Sequence, residues 1–308
     1  MIEHFHRPGT VREALGLMKR FPNQAVFLAG GTYLNSSACD QCPERRPSLA
    51  GLGLNRVERR QGASVMGPLC ASACAVRPVH LVSLAGLGLD RIERKQGAVV
   101  LGALCTLQRL VDDHKVPAAL RAAAAQIVSR NVREMATLGG HLAGNPPYSD
   151  LIPMLIALDA KVGLSRTGGA MTMRVAEYVA KPVSGLITRL LVPAPKAGRV
   201  AACRNHRASA NARSTVSAAV SATLVRGTVK APIIALGGVA GHAVRLTVVE
   251  EALDGKPLPA TDELQALVSR SVRPAADLTG SAAFRRYEAG VAVALALRDA
   301  LRQKRSRP

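Results

Sequence analysis

The chain has 308 residues, of which 48% are apolar, and its 41 Lys and Arg against 21 Asp and Glu give a formal net charge of +20. This length and apolar content predict a globular protein of two domains and exclude a disordered chain. No apolar run approaches the roughly 18–20 residues of a membrane helix, and the N-terminus lacks an export-signal pattern, so we expect a cytoplasmic protein.

The first elements in chain order are a helix, a strand and a glycine turn. Thr10 and Glu13 have the spacing of a capping box, which predicts a helix that ends before Pro22. A short apolar run, residues 25–29, is typical of a buried strand and is followed by Gly30-Gly31-Thr32. Glycine permits positive φ and close approach of a ligand to the backbone. Successive amides in such a turn can hold phosphate oxygens.

An internal repeat follows this turn. Residues 48–70 and 83–105 differ at six of 23 aligned positions. Two copies are too few for a solenoid, so the pattern indicates a tandem duplication. Each copy offers short strands around a turn.

A second glycine turn is predicted at Gly139-Gly140, with Thr137 beside it. Two such turns can hold the two phosphates of a diphosphate from both sides. Asp150 lies ten residues later at the expected start of a helix that runs through Leu158. Its carboxylate can accept hydrogen bonds from sugar or ribityl hydroxyls.

The proline-rich stretch from Pro182 to Pro195 predicts a domain boundary. Beyond it, runs of strands precede runs of helices, which favours an α+β fold over regular βαβ winding. Phe284, Tyr287, Val291 and Leu295 lie along one face of the last helix. We expect strands near 199–204, 214–226 and 231–237, and helices near 246–254, 262–272 and 281–303.

Four motifs in this order resemble the flavin subunits of molybdenum hydroxylases. They are LAGGTYLN (28–35), NVREMATLGGHLAGNPPYSDLIPMLIALDAKV (131–162), IIALGGVAGHAVRLTVVEEALDGKPL (233–258) and DLTGSAAFRRY (277–287). The family includes the medium subunit of carbon monoxide dehydrogenase and the FAD segment of xanthine dehydrogenase. The resemblance covers nearly the whole chain.

The resemblance implies both a fold and a role. The fold is α+β, with a two-lobed PCMH-type FAD-binding domain over residues 1–185 and a smaller α+β C-terminal flavoprotein domain over residues 195–308. The role is electron transfer in a xanthine dehydrogenase-like complex. Electrons pass from a molybdopterin-binding subunit through a 2Fe–2S subunit to FAD, and then to NAD or another acceptor. The flavin performs the redox chemistry, so no catalytic side chain is assigned.

The resemblance also implies the residues that bind FAD. Arg204 falls where relatives often carry a lysine near the flavin ring, where a cation stabilises the anionic reduced flavin. Tyr33 replaces the usual Asp, and His141 and Gly144 replace the usual Asn. The family carries one copy of the repeat, so residues near 48–82 resemble an insertion. The implied FAD-binding residues are Leu28, Ala29, Gly30, Gly31, Thr32, Tyr33, Leu34, Thr137, Leu138, Gly139, Gly140, His141, Asp150 and Arg204.

Three alternatives stay open. Cys39, Cys42, Cys70 and Cys74 have spacings found in metal and iron–sulfur sites, although free thiols are favoured because Cys70 and Cys105 are copies of one position. Loss of two amides at His141 and Gly144 makes a flavin-free scaffold subunit of the same family an alternative function. The positive charge attracts nucleic acid, but with four Phe, four Tyr and no Trp the chain offers few stacking platforms for it.

Overall fold

A computed structural model describes residues 3–30, 79–95, 97–127, 129–209, 212–225 and 228–305. The described residues form an N-terminal region (3–193) and a C-terminal region (199–305), with one hydrophobic core centred in each. The N-terminal region contains β1 (His4–His6), α1 (Val11–Arg20), β2 (Ala25–Leu28), β3 (His80–Ser83), β4 (Ile92–Lys95), β5 (Ala98–Gly102), α2 (Leu107–Asp112), α3 (Ala118–Ala125), α4 (Arg130–Met135), α5 (Leu138–Gly144), α6 (Leu151–Ala157), β6 (Lys161–Arg166), β7 (Gly169–Arg174), α7 (Val175–Ala180) and β8 (Leu186–Pro193). The C-terminal region contains β9 (Arg199–His206), β10 (Val216–Val225), β11 (Thr228–Gly237), β12 (Val244–Arg245), α8 (Thr247–Leu253), α9 (Thr261–Ser271) and α10 (Ala282–Arg305).

The described strands form three sheets. A three-stranded parallel sheet has the order β1-β3-β2, and a five-stranded antiparallel sheet has the order β4-β5-β8-β6-β7. The C-terminal region contributes a four-stranded antiparallel sheet of order β12-β11-β10-β9. An N-terminal region of helices and sheets is thus followed by a smaller region in which helices pack on one antiparallel sheet, so the predicted α+β fold class is confirmed.

The central strand of the parallel sheet corrects one edge of the predicted insertion. Strand β3 pairs with both β1 and β2, and Leu81 and Val82 are fully buried. The insertion expected over residues 48–82 therefore cannot include these residues, because they hold the middle of a sheet. The second copy of the repeat supplies the end of β3 together with β4 and β5, while the first copy lies outside the described residues.

The C-terminal sheet has two packed faces, and side chains alternate between them. On β9, Val200 and Ala202 belong to the core beneath α8, α9 and α10, whereas Ala201 and Cys203 pack against the core of the N-terminal region. Helix α6 lies on this second face, with all seven of its residues buried. The Ser221 hydroxyl of β10 donates to the Ala157 carbonyl at the end of α6.

Helix α10 packs on the sheet through small side chains rather than through its large apolar ones. Phe284, Tyr287 and Leu295 are 38%, 58% and 40% exposed, so the apolar face identified from the sequence points outward. Small residues let a helix approach a sheet closely, which explains the choice of buried face. The buried apolar residues are Ala289, Ala292, Val293, Ala294, Ala296, Leu297 and Ala300. Across the described ranges, no helix has the length and apolarity required to span a membrane.

Candidate functional site

The second glycine pair starts a helix and does not form the predicted turn. Thr137 is the N-cap of α5, and its side-chain oxygen accepts from the Gly140 amide at 3.2 Å. The Gly139 amide donates to the Ala103 carbonyl at 2.8 Å, and the Leu138 amide donates to the Cys105 carbonyl at 2.9 Å. The amides expected to hold phosphate oxygens therefore already have acceptors within the chain.

Gly139 is needed for packing. A Cβ added there would lie 2.7 Å from the Ala103 Cβ and 2.9 Å from the Ala103 carbonyl oxygen. Both distances are too short for a side chain, so only glycine lets α5 begin against the end of β5. This packing explains Gly139 without reference to a ligand.

Gly30 brings the first glycine motif beside the second. A Cβ on Gly30 would lie 1.9 Å from the Met135 carbonyl oxygen and 2.8 Å from its carbonyl carbon. The backbone after β2 therefore touches the junction between α4 and α5, next to Ala136 and Thr137. Leu28 and Ala29 lead into this contact, whereas Gly31, Thr32, Tyr33 and Leu34 lie outside the described residues.

His141 is half-buried in α5 and stays neutral at pH 7. Its Nε2 lies 2.7 Å from the Ser149 Oγ, and burial lowers the pKa of His141 to about 4. Ser149 Oγ also accepts from the amides of Leu151 and Ile152, which start α6. Because these amides are donors, the Ser149 proton points to Nε2, and the neutral ring carries its proton on Nδ1.

The depressed pKa of His141 predicts a loss of stability in acid. The unfolded chain, with a histidine pKa near 6.5, takes up the proton before the folded chain does. Neutral His141 therefore contributes fully to the free energy of unfolding above about pH 6.5. This contribution falls between about pH 6.5 and 4, and the total loss is roughly 3 kcal/mol. We expect urea titrations to show this loss in the wild type and a smaller one in His141→Asn. An equal loss in both proteins would contradict the assignment.

Asp150 joins the two regions. Its Oδ1 accepts from Asn205 Nδ2 at 3.1 Å and from Ser214 Oγ at 2.5 Å, and its Oδ2 accepts from the Arg207 guanidinium at 2.9 Å. Burial raises the pKa of Asp150, while these hydrogen bonds and the charge of Arg207 oppose the rise. The carboxylate expected to accept from cofactor hydroxyls thus serves three protein donors.

Arg204 lies on the other face of the same strand. Its side chain lies on the face of the sheet that the helices cover, and its Nε pairs with Asp299 of α10. Asn205 and Arg207 instead lie on the same side as Ala201 and Cys203, which face the N-terminal region. The alternation of side chains along β9 therefore places Arg204 on the opposite face of the sheet from Asp150.

Three residues at this junction were not predicted from the sequence: Asn205, Arg207 and Ser214. The signal for Asn205 and Arg207 was available in the period of two along β9, since they share the parity of Ala201 and Cys203. Using it required knowing that both faces of the sheet are packed, which depends on tertiary structure. Ser149 differs, because its capping of α6 is local and its type suits that position.

The cysteines within the described ranges are free thiols. Burial raises the pKa of Cys105 and of Cys203 to about 11, so both are protonated at pH 7. In the described part of the chain, no group of three or more His, Cys, Asp or Glu side chains has an arrangement that could hold a metal ion. The motif cysteines Cys39, Cys42, Cys70 and Cys74 lie outside that part.

Two protein families match the chain in succession. Residues 61–195 match the FAD binding domain in molybdopterin dehydrogenase, and residues 201–300 match the CO dehydrogenase flavoprotein C-terminal domain. The boundary between the two matches lies within four residues of the start of β9. Together the matches cover both regions of the fold.

Individual relatives agree with these matches. The chain is 34% identical over 295 residues to the uncharacterized protein YgfM of Escherichia coli K12, covering 96% of this chain and 95% of YgfM. It is 28% identical over 180 residues to the carbon monoxide dehydrogenase medium chain of Afipia carboxidovorans, covering 56% of this chain and 62% of that one. Among solved structures, a chain of carbon monoxide dehydrogenase from Hydrogenophaga pseudoflava superposes with a TM-score of 0.81 at 26% identity, covering 98% of each chain.

Proposed function

The chain belongs to the family of FAD-binding medium subunits of molybdenum hydroxylases, and from this premise we propose that it carries electrons within such a complex. FAD is the cofactor of this family. One observation supports the proposal above the others. Gly30 lies against the residue pair that precedes Thr137, so the two glycine motifs adjoin although 105 residues separate Gly30 from Met135.

The residues present fit a bound dinucleotide in part. The described site residues that would hold FAD are Gly30, Thr137 and His141, with residues 31–34 completing the first motif. Glycine at position 30 lets the first motif lie directly against the backbone that precedes Thr137. Neutral His141 offers a polar ring without adding charge. When bound, FAD supplies the electron-transfer chemistry, and the chain supplies binding and orientation.

The proposed partners are an iron–sulfur subunit and a molybdopterin-binding subunit, with NAD or another acceptor as the final oxidant. Support comes from relatives that are named as medium chains, of carbon monoxide dehydrogenase and of the glyceraldehyde dehydrogenase of Sulfolobus acidocaldarius. A xanthine dehydrogenase-like complex in the cytoplasm is the proposed setting. The substrate of that complex is set by the molybdopterin subunit.

A flavin-free scaffold subunit is the second candidate. Two observations favour it: the amides of Gly139 and Gly140 bond within the chain, and the Asp150 carboxylate serves three protein donors. Both remove donors or acceptors that the cofactor would otherwise use. This candidate keeps the fold and the partners and differs only in the absence of FAD.

Purification of the whole chain decides between the two candidates. We expect a yellow protein that holds about one FAD per chain and quenches flavin fluorescence on titration. Riboflavin, which lacks the diphosphate, should bind at least about tenfold more weakly if the glycine motifs hold phosphates. A colourless protein that ignores added FAD would overturn the proposal and leave the scaffold.

A further inference from the structure

A loop between α5 and α6, residues 145–150, is held by the C-terminal region at several successive points. The Gly238 amide donates to the Pro147 carbonyl at 2.6 Å, and Ser217 Oγ donates to the Ser149 carbonyl at 2.7 Å. The guanidinium of Arg213 lies 4.7 Å from the ring centre of Tyr148, a cation–π distance. The loop is therefore part of the N-terminal region in sequence, but it also contacts the C-terminal region.

Glycine makes this close contact possible. A Cβ on Gly237 would lie 2.9 Å from the Ser149 carbonyl oxygen, and Gly238 has φ of +81° with a hypothetical Cβ 2.1 Å from the Thr215 carbonyl oxygen. A side chain at Gly237 would push the sheet away from the loop, and a side chain at Gly238 would clash with the backbone just before β10. The glycine pair Gly237-Gly238 thus has a structural purpose.

The charged contact of this junction is the pair Arg207–Asp150. Their side chains are 16% and 11% exposed, and the two atoms lie 2.9 Å apart. The same guanidinium group donates to the Gln126 carbonyl of the N-terminal region at 2.7 Å. Removing Arg207 would leave the Asp150 carboxylate buried without its cation, a change that strongly disfavours the docked arrangement.

The junction continues into the candidate cofactor site. Ser149 Oγ accepts hydrogen bonds from the amides at the start of α6, and it lies 2.7 Å from the Nε2 of His141 in α5. Helix α5 begins at Thr137, beside Gly30. Two short contacts, Arg207 to Asp150 and Ser149 to His141, are joined by the peptide bond between Ser149 and Asp150 and therefore connect Arg207 to His141.

We propose that Arg207 is a positioning residue: its ion pair with Asp150 docks the C-terminal region on the 145–150 loop and thereby sets the position of His141 in the FAD site. The part that concerns FAD rests on the proposed function, whereas the docking part does not. Arg204 supplies the matched control, since it is an arginine of the same segment whose partner, Asp299, lies on the opposite side of the sheet.

The experiment compares Arg207→Met, Arg207→Lys and Arg204→Met with the wild type. Amide hydrogen exchange is measured at Gly238, Leu151 and Ile152, and FAD affinity is measured by fluorescence titration. In Arg207→Met we expect exchange at these amides to accelerate at least about tenfold and FAD to bind at least about tenfold more weakly, with exchange in α1 unchanged. Lysine should restore part of both, and Arg204→Met should leave exchange at these amides unchanged.

Several outcomes would overturn the proposal: unchanged exchange in Arg207→Met, equal effects on exchange in Arg204→Met, or no rescue by lysine.

If Arg207→Met does not fold, Asn205→Ala can replace it. This variant removes one hydrogen bond to Asp150 and is expected to give the same changes on a smaller scale. A wild-type chain that binds no FAD refutes the proposed function alone, because the exchange measurements still test docking. Combining Asp150→Asn with Arg207→Met should produce less than the sum of the two effects, since both remove one ion pair.

Discussion

Gly30→Ala is expected to abolish FAD binding and to lower the free energy of unfolding by about 3 kcal/mol, the upper end for an overpacked site. The added Cβ would lie 1.9 Å from the Met135 carbonyl oxygen. The position of the Cβ is fixed by the backbone and the carbonyl oxygen is part of it, so no change of rotamer relieves the overlap. Either the end of β2 or the α4–α5 junction must move, and the two glycine motifs separate. Urea unfolding and FAD titration measure the two effects.

Gly16→Ala is the control for that substitution. Gly16 lies inside α1, and nothing comes within 4 Å of a Cβ placed there. Alanine at this position should stabilise the chain by roughly 0.5–1 kcal/mol, because glycine is a poor helix former. FAD affinity should stay at the wild-type value. A Gly30→Ala protein as stable as Gly16→Ala would show that the first motif does not pack on the α4–α5 junction.

Local signals in the sequence predicted local structure well. The Thr10 side chain accepts from the Glu13 amide, as the capping-box spacing indicates, and the four motifs in order predicted the family and the fold. The two glycine pairs correctly marked close approaches of the backbone. They did not reveal what approaches, since Gly139 meets Ala103 and Gly30 meets Met135. Those contacts join residues far apart in the chain, and no window of sequence contains both partners.

Arg204 shows the same limit at a single residue. The sequence contains both Arg204 and Arg207, and which of them reaches the N-terminal region depends on which face of the sheet meets that region. Alternation along a strand shows which residues share a face of the sheet, but it does not show what packs against each face.

Helix α10 is a second example, because its large apolar residues and its alanines each form a stripe along the helix. The close approach to the sheet favours the alanines, and this requirement is visible only once the sheet is in place.

The internal repeat did not reveal the boundary of the insertion. Identity between the two copies begins at Ser83, yet the strand that contains Ser83 begins at His80. The alignment therefore begins inside a strand, and residues 80–82 have no counterpart before the first copy. Strand β3 pairs on both sides, so its first three residues are as necessary as its last one.

Two deletions that differ by four residues test this boundary. Removing residues 48–78 joins Pro47 to Val79 and leaves twenty residues (29–47 and 79) between β2 and β3. Parallel neighbouring strands need a connection of about a dozen residues or more, so the shortened crossover is long enough. We expect this protein to fold, with thermal stability and FAD affinity close to those of the wild type.

Removing residues 48–82 also takes Val79, His80, Leu81 and Val82. Leu81 and Val82 are fully buried, and loss of each large core side chain costs about 2–5 kcal/mol out of a total stability of about 5–15 kcal/mol. The deletion also leaves β1 and β2 without the strand that lies between them. We therefore expect an unfolded or aggregated product, detected by circular dichroism and size-exclusion chromatography. A folded product would mean that the residues joined ahead of Ser83 can replace the start of β3, and failure of the shorter deletion to fold would mean that the first copy of the repeat is itself required.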